Sequence, residues 1–218
     1  METAPLKVVW TTMIATEFRV DVPSWVVAEV EAAGCLLPTL EHRMALVNRL
    51  ADRNFRDGGG GPFAAIVVEQ VSGRLISAGV NRVLASNLSV SHAEVVALSL
   101  AQCERGTWDL GASGAPRTEL VVNWRPCLQC CGAALWAGVS HIVIPDDSDL
   151  MERITGFDEG PVSRDWIGEF EARGICVTKG IGVREAIQVF QDYAVHVANG
   201  CAVLYNARGT GRNTRVTT

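Results

Sequence analysis

His92-Ala93-Glu94 and the later Pro126-Cys127-Leu128-Gln129-Cys130 are the residues whose types and spacing point most directly to chemistry. One imidazole and two thiolates give zinc three good ligands and leave the fourth tetrahedral position for water, which is the arrangement of a catalytic site rather than a closed structural one. Cys127 and Cys130 stand three apart at the start of a predicted helix, so both side chains share one face. The helix amino end favours their thiolate form, and Pro126 suits a helix entrance, where its missing N–H costs nothing. Glu94, two residues beyond His92, is too close to bind the same ion comfortably from a regular helix. It is well placed beside the water, where a carboxylate can take a proton and later deliver it to a leaving amine. That is the chemistry of hydrolytic deamination, a hydrolase acting on a C–N bond of a cyclic amidine.

Other readings compete. A lone CxxC is as often redox-active or structural as catalytic, and a structural zinc site or a non-catalytic zinc module remains the rival from a different class. A purely structural site needs no general acid or base, however, and prefers a fourth protein ligand, which the spacing does not place. Cys131 turns about 100° away from Cys130 on a helix and reads as core. Cys35, Cys103, Cys176 and Cys201 are expected to be buried thiols, and His42, His141 and His196 to be structural. The Gly58 to Gly61 run follows a helix, precedes a strand and lacks the Gly-Lys-Ser/Thr ending of a phosphate loop, so it reads as a flexible turn. Trp124 and Arg125 either line the mouth of a pocket or finish a strand.

The elements that must position these residues follow from periodicity. Leu40 to Phe55 carries apolar residues at helical spacing, and two strand-like runs, Pro62 to Glu69 and Arg74 to Asn81, are joined by a short Gly-containing connection that suits an antiparallel hairpin. His92 to Gln102 reads as helix, Glu119 to Asn123 as a buried strand, Cys127 to Ala137 as helix and His141 to Pro145 as strand. A helix at Asp165 to Ala172, a strand at Gly174 to Thr178 and a helix at Val183 to Val197 follow, with a strand-like Ala202 to Tyr205 after them. The helix between the strands at 141 and 175 suits a right-handed crossover between parallel strands. The expected architecture is α/β, a five-stranded mixed sheet with helices on both faces in three α-β-α layers. Residues 1–39, with a possible strand at Leu6 to Trp10 and a short helix at Trp25 to Ala33, read as an extension packed on a domain of residues 40–206. Residues 207–218, polar and arginine-bearing, read as a disordered tail.

Composition sets the outer limits. The chain has 218 residues, 48% of them hydrophobic and 20% charged, which is the balance of a globular protein long enough to bury its own core, so a metal here serves function more than folding. A formal charge of −5 supplies no broad field for a polyanion, which argues against a nucleic-acid partner. Met1-Glu2-Thr3-Ala4-Pro5 lacks the basic start of a secretory signal and no run suggests a membrane span, so the expected location is the cytoplasm, with reduced thiols.

Taken together, His-x-Glu followed by Pro-Cys-x-x-Cys is the signature of zinc deaminases. With Gly61-Pro62-Phe63-Ala64-Ala65, Gly79-Val80-Asn81-Arg82-Val83 and Gly132-Ala133-Ala134-Leu135-Trp136-Ala137, the sequence resembles the cytidine deaminase-like superfamily, and more closely the branch of bacterial guanine deaminases and tRNA adenosine deaminases. The resemblance implies one zinc per chain held by His92, Cys127 and Cys130, with Glu94 as proton shuttle. It implies that Asn81 hydrogen-bonds the base, that Phe63 and Trp136 line the pocket, and that Ala93 lies at the substrate. It carries an acidic substrate contact onto Asp158 or Glu159, and a pocket-closing aromatic onto Tyr193 or Tyr205. It also implies a parallel last strand pair and a homodimer. The substrate so implied is a free nucleobase, guanine first, then cytosine or a triazine-type base, then a nucleoside, nucleotide or tRNA adenosine. The segment Val122-Asn123-Trp124-Arg125 and the Leu-Gln interior of the CxxC depart from the guanine deaminase pattern and bear on the choice of base.

Overall fold

The computed structural model describes residues 14–206, so the expected strand at Leu6 to Trp10 and the tail from residue 207 lie outside the described residues. The elements in chain order are α1 (Ser24–Ala33), α2 (Leu40–Arg56), β1 (Ala64–Glu69), β2 (Leu75–Val80), α3 (Val83–Ser86), α4 (Ala93–Arg105), β3 (Thr118–Val122), α5 (Leu128–Ala137), β4 (His141–Val143), α6 (Leu150–Thr155), α7 (Trp166–Glu171), β5 (Cys176–Thr178) and α8 (Val183–Ala198). They form one sheet in the order β2-β1-β3-β4-β5. β1 pairs antiparallel with β2 and β3, while β3, β4 and β5 run parallel, which is the mixed sheet expected, with a parallel last pair and one further parallel pair.

Alternation along the strands divides the apolar residues between two cores. Ala64, Ile66 and Val68 of β1 and Val121 of β3 face a layer built from α2, α8 and α6, with Met44, Leu50, Phe55, Phe190 and Tyr193. Ala65, Val67, Leu120 and Val122 face the opposite layer, built from α4, α5 and α7. Both sheet faces are covered, as parallel strands require. Among the described residues no helix is long and apolar enough to cross a membrane.

Gly79 shows why α4 sits where it does. A Cβ there would come within 2.4 Å of the Ala93 carbonyl and 2.5 Å of the Ala97 amide nitrogen, so the first turn of α4 lies directly on the β2 backbone. That contact fixes the amino end of α4 and with it His92 and Glu94. The extension is tied down as well. Val26 of α1 is buried against the α2 layer, and Leu37 donates to the Gly73 carbonyl at 2.8 Å beside an isolated bridge from Leu36 to Arg74.

Several expectations are corrected. α3 and α6 form where no helix was expected, because each is a single short turn of mixed polarity with no period long enough to read. Ala202 to Tyr205 is not a strand; the segment runs as a strap whose Val203 carbonyl accepts from Tyr193 of α8, and the following Asn206 donates to the Gly156 carbonyl after α6. Cys35, Cys103, Cys176 and Cys201 are exposed rather than buried, since each stands in a connection, near a helix end or on an edge strand.

Candidate active site

Two helix amino ends converge at the carboxyl end of the sheet. His92 is the N-cap residue of α4 and Cys127 that of α5, both with extended backbone, and Cys130 lies in the first turn of α5. His92 Nδ1 stands 3.5 Å from the Sγ atoms of both Cys127 and Cys130. A tetrahedral zinc with Zn–N near 2.0 Å and Zn–S near 2.3 Å would separate such ligands by about 3.5 Å, so the three donors fit the ion in kind and in spacing. Among the described residues this is the one cluster of histidine, cysteine and acidic groups arranged to hold a metal ion.

The electrostatics of the bare triad agree. The hydrogen bond from Cys130, aided by the His92 imidazole against the cost of burial, brings the Cys127 thiol down to about 4. Burial opposes the charge of His92, but the Cys127 thiolate outweighs it and lifts the imidazole to about 9. Cys130, bonded to that thiolate and fully enclosed, holds its proton well above the usual thiol range. A cation at the site would displace the protons held by His92 and Cys130 and pair with the Cys127 thiolate. Cys131 points away, its thiol against the Pro126 carbonyl at 3.5 Å, and burial pushes it up to about 12.

Glu94, one residue into α4, is 6% exposed and faces the same cavity as the triad. Burial, and next the Cys127 thiolate, raise its proton affinity. A carboxyl whose proton affinity is raised in this way is suited to accept a proton and return it. Glu159, in the loop after α6, is raised to about 8 by burial and then by the field of Cys127. Its neighbour Asp158 lines the cavity too, but its carboxylate accepts from the Gly160 N–H at 3.0 Å and so braces the loop. The charge of Glu159 is thus coupled to the triad.

The cavity of about 790 Å³ is of ordinary size for a small-molecule site. Phe63 lines it edge-on to Phe157, with ring centres 5.1 Å apart, and Asn81 lies at its wall. Trp124 and Arg125 line the cavity as well, the first anchored by its indole N–H on the Ser148 carbonyl at 3.0 Å, the second paired with Glu152 at 2.5 Å. Tyr205 lines the cavity and Tyr193 does not; Tyr193 is fully buried with its hydroxyl on the Val203 carbonyl. Two expected substrate residues lie elsewhere. Trp136 is 77% exposed on α5 and lines a separate groove with Trp108, because its position on the helix turns it away from Cys127 and Cys130. Ala93 is wholly buried under β2, so its side chain does not form the cavity wall.

Two residues were not foreseen from the sequence. Asn54 on α2 donates to the carbonyls of Gly61 at 2.9 Å and Asn81 at 3.0 Å. Asn123, following β3, donates to the Pro62 carbonyl at 2.9 Å and accepts from the Ala64 N–H at 3.2 Å. Together they hold the Gly61–Phe63 turn and the start of the Asn81 loop. A polar residue inside the amphipathic helix at Asn54 was the available signal.

Residues 38–145 match the cytidine and deoxycytidylate deaminase zinc-binding region. The fold is similar to a solved structure of guanine deaminase from Nitrosomonas europaea, at 41% identity over 84% of this chain and 99% of that one, with a TM-score of 0.77. It is equally similar, at 41% identity over 84% of this chain and 98% of the other and a TM-score of 0.77, to a point variant crystallised in complex with 8-azaguanine. Guanine deaminase from Bacillus subtilis (strain 168) is 35% identical over 111 residues, 50% of this chain and 65% of that protein, so the match spans less than two thirds of this curated relative.

Proposed function

Because the chain belongs to the cytidine and deoxycytidylate deaminase zinc-binding family, we propose that it is a zinc-dependent hydrolase that removes the exocyclic amine of a free nucleobase, converting guanine and water to xanthine and ammonia. The observation that carries this reading is the pair of carboxyls, Glu94 buried and Glu159 half-buried, lining one cavity with His92 and Cys127 of the His-Cys-Cys triad, in a fold similar to guanine deaminase over nearly the whole length of that protein. Guanine presents a ring N–H and an exocyclic amine on one edge, the donors that carboxyl oxygens accept.

His92 Nδ1, Cys127 Sγ and Cys130 Sγ would hold the ion, which when bound supplies a water acidified towards a pKa of about 7. Glu94 would take a proton from the attacking water and return it to the departing amine, which leaves as ammonia. Glu159 orients the donor edge of the base, and Asn81 the opposite one. Phe63 and Phe157 provide apolar contact and exclude water, which strengthens each of these polar interactions. Two structural assignments go with this reading. The catalytic domain is residues 40–206 with residues 1–39 as its extension, and the working unit is a homodimer. The exposed rings of Trp108 and Trp136 beside α4 and α5 support a second copy covering that face. Sedimentation of the protein and of a Trp136→Glu variant tests the dimer, which the substitution should dissociate.

The function is tested by ammonia release from guanine, cytosine, adenine, guanosine and cytidine with zinc-loaded protein. Guanine should be turned over, and Glu94→Ala should lose at least about a hundredfold, the usual scale of general acid–base catalysis. Full turnover in the variant would remove Glu94 from its role. Silence on every base with zinc bound would remove the nucleobase reading.

A further inference from the structure

The side-chain oxygen of Asn81 accepts two hydrogen bonds, one from the Val83 backbone N–H at 3.2 Å and one from the Tyr205 hydroxyl at 2.6 Å. A backbone N–H can only donate, so the atom facing it must be the oxygen, and the orientation of the amide follows from its partners. Nδ2 is left without a hydrogen-bond partner among the described residues, on a side chain that belongs to the cavity wall. Gly60 crowds the other side; a Cβ there would come within 2.7 Å of the Asn81 carbonyl and 2.9 Å of Oδ1.

Tyr205 is itself held firmly. Its ring packs edge-on against Phe157, with centres 5.2 Å apart, and Leu204 is buried beneath Gly156. The Asn206 side chain accepts from the Asp158 N–H at 2.8 Å and donates to the Gly156 carbonyl at 3.0 Å. The strap that carries Tyr205 is therefore laced to the same loop that carries Glu159.

We propose that Tyr205 is a positioning residue for base specificity: its hydroxyl, with the Val83 N–H, locks the Asn81 amide so that it shows the substrate donors alone. The inference rests on the nucleobase reading above and deepens it. A base must then offer an acceptor to Asn81, and a base with an N–H or a C–H at that place leaves a donor unpaired, which polar sites punish strongly. Guanine satisfies both ends, with donors for the carboxyls on one edge and the O6, N7 and N3 acceptors elsewhere on the ring.

The test uses full-length, zinc-loaded wild-type protein and Tyr205→Phe. Binding is measured for guanine, 7-deazaguanine, 3-deazaguanine and 2,6-diaminopurine; the analogues in turn remove the N7 acceptor, remove the N3 acceptor, and replace O6 by an amine with loss of the N1 hydrogen. The wild type should bind at least one analogue about tenfold or more weakly than guanine. In Tyr205→Phe guanine should weaken several-fold while the gap to that analogue closes to within about threefold, with zinc content unchanged. Asn81→Asp, which puts an acceptor where the donors were, should abolish or reverse the same gap. An equal loss for all four ligands in Tyr205→Phe would make the residue a plain lid, and an unchanged gap would make it irrelevant to recognition; either overturns the proposal. A wild-type protein that discriminates among none of the four also overturns it. One that neither binds nor turns over any of them fails the nucleobase reading itself, and the two failures are told apart by guanine turnover.

Discussion

The Asn54 side chain donates to the backbone carbonyl of Asn81 across 3.0 Å, linking the last turn of α2 to a residue of the cavity wall. Its second bond, to the Gly61 carbonyl at 2.9 Å, holds the turn before Phe63. Asn54→Ala removes the donor to the Asn81 carbonyl and leaves the Gly61 carbonyl with only the Phe63 N–H at 2.9 Å, in an enclosed place. It should cost about 1 to 3 kcal/mol of stability and raise KM for the base more than it lowers kcat. Denaturant unfolding with steady-state kinetics would show it, and a variant as stable as the wild type with an unchanged KM would contradict it.

Gly79 makes a steeper prediction. Gly79→Ala brings a methyl within 2.4 Å of the Ala93 carbonyl, and backbone cannot move aside as a flexible side chain can. Relief must come from α4 shifting away from β2, which displaces His92 and Glu94. A loss of about 1 to 3 kcal/mol is expected, together with weaker zinc binding in a competition with a chromogenic chelator. Zinc affinity equal to that of the wild type would mean that the amino end of α4 is set by something other than this contact.

What the sequence allowed to be read divides along physical lines. The zinc ligands and Glu94 were legible because their chemistry is local, three donors and a carboxyl at fixed offsets from two helix starts. The sheet was legible because its alternation and buried runs are strong. Tyr205 and Asn54 could not be placed, because their roles depend on where α2 and the carboxyl-terminal strap cross the Asn81 loop, a long-range relation with no sequence period. Trp136 was misplaced for a related reason: a motif neighbour on a helix need not share the face of the ligands.

Removal of the metal should separate function from fold. The two apolar cores are built without the His92 imidazole, the Glu94 carboxyl or the Cys127 and Cys130 thiols, although Trp124 and Phe157 of one core and Val122 of the other also line the cavity. A strong chelator should therefore abolish ammonia release while far-UV circular dichroism is kept, with the midpoint of thermal unfolding falling by several degrees as bound-state stabilisation is lost. Activity should return on adding back zinc. Wholesale unfolding on chelation would show the ion to be structural.

Glu159 gives the pH dependence. Burial first, and the Cys127 thiolate next, raise its carboxyl to about 8 in the folded protein, against an ordinary value of 4.5. A raised acid favours the folded state while it keeps its proton, so this contribution is complete below about pH 4.5 and is lost as the pH climbs towards about 8. Glu159→Gln has no proton to lose. Zinc-free wild type and variant should unfold at similar temperatures at pH 5, and at pH 8 the variant should be the more stable by a few degrees. Zinc should narrow that difference, since a cation at the triad offsets the thiolate field that burdens the carboxylate. The zinc-loaded variant should nevertheless lose turnover of guanine, because an amide offers the base one acceptor oxygen where an ionised carboxylate offers two. Equal unfolding temperatures at pH 8 without zinc would show that Glu159 ionises freely and stands outside the electrostatics of the site.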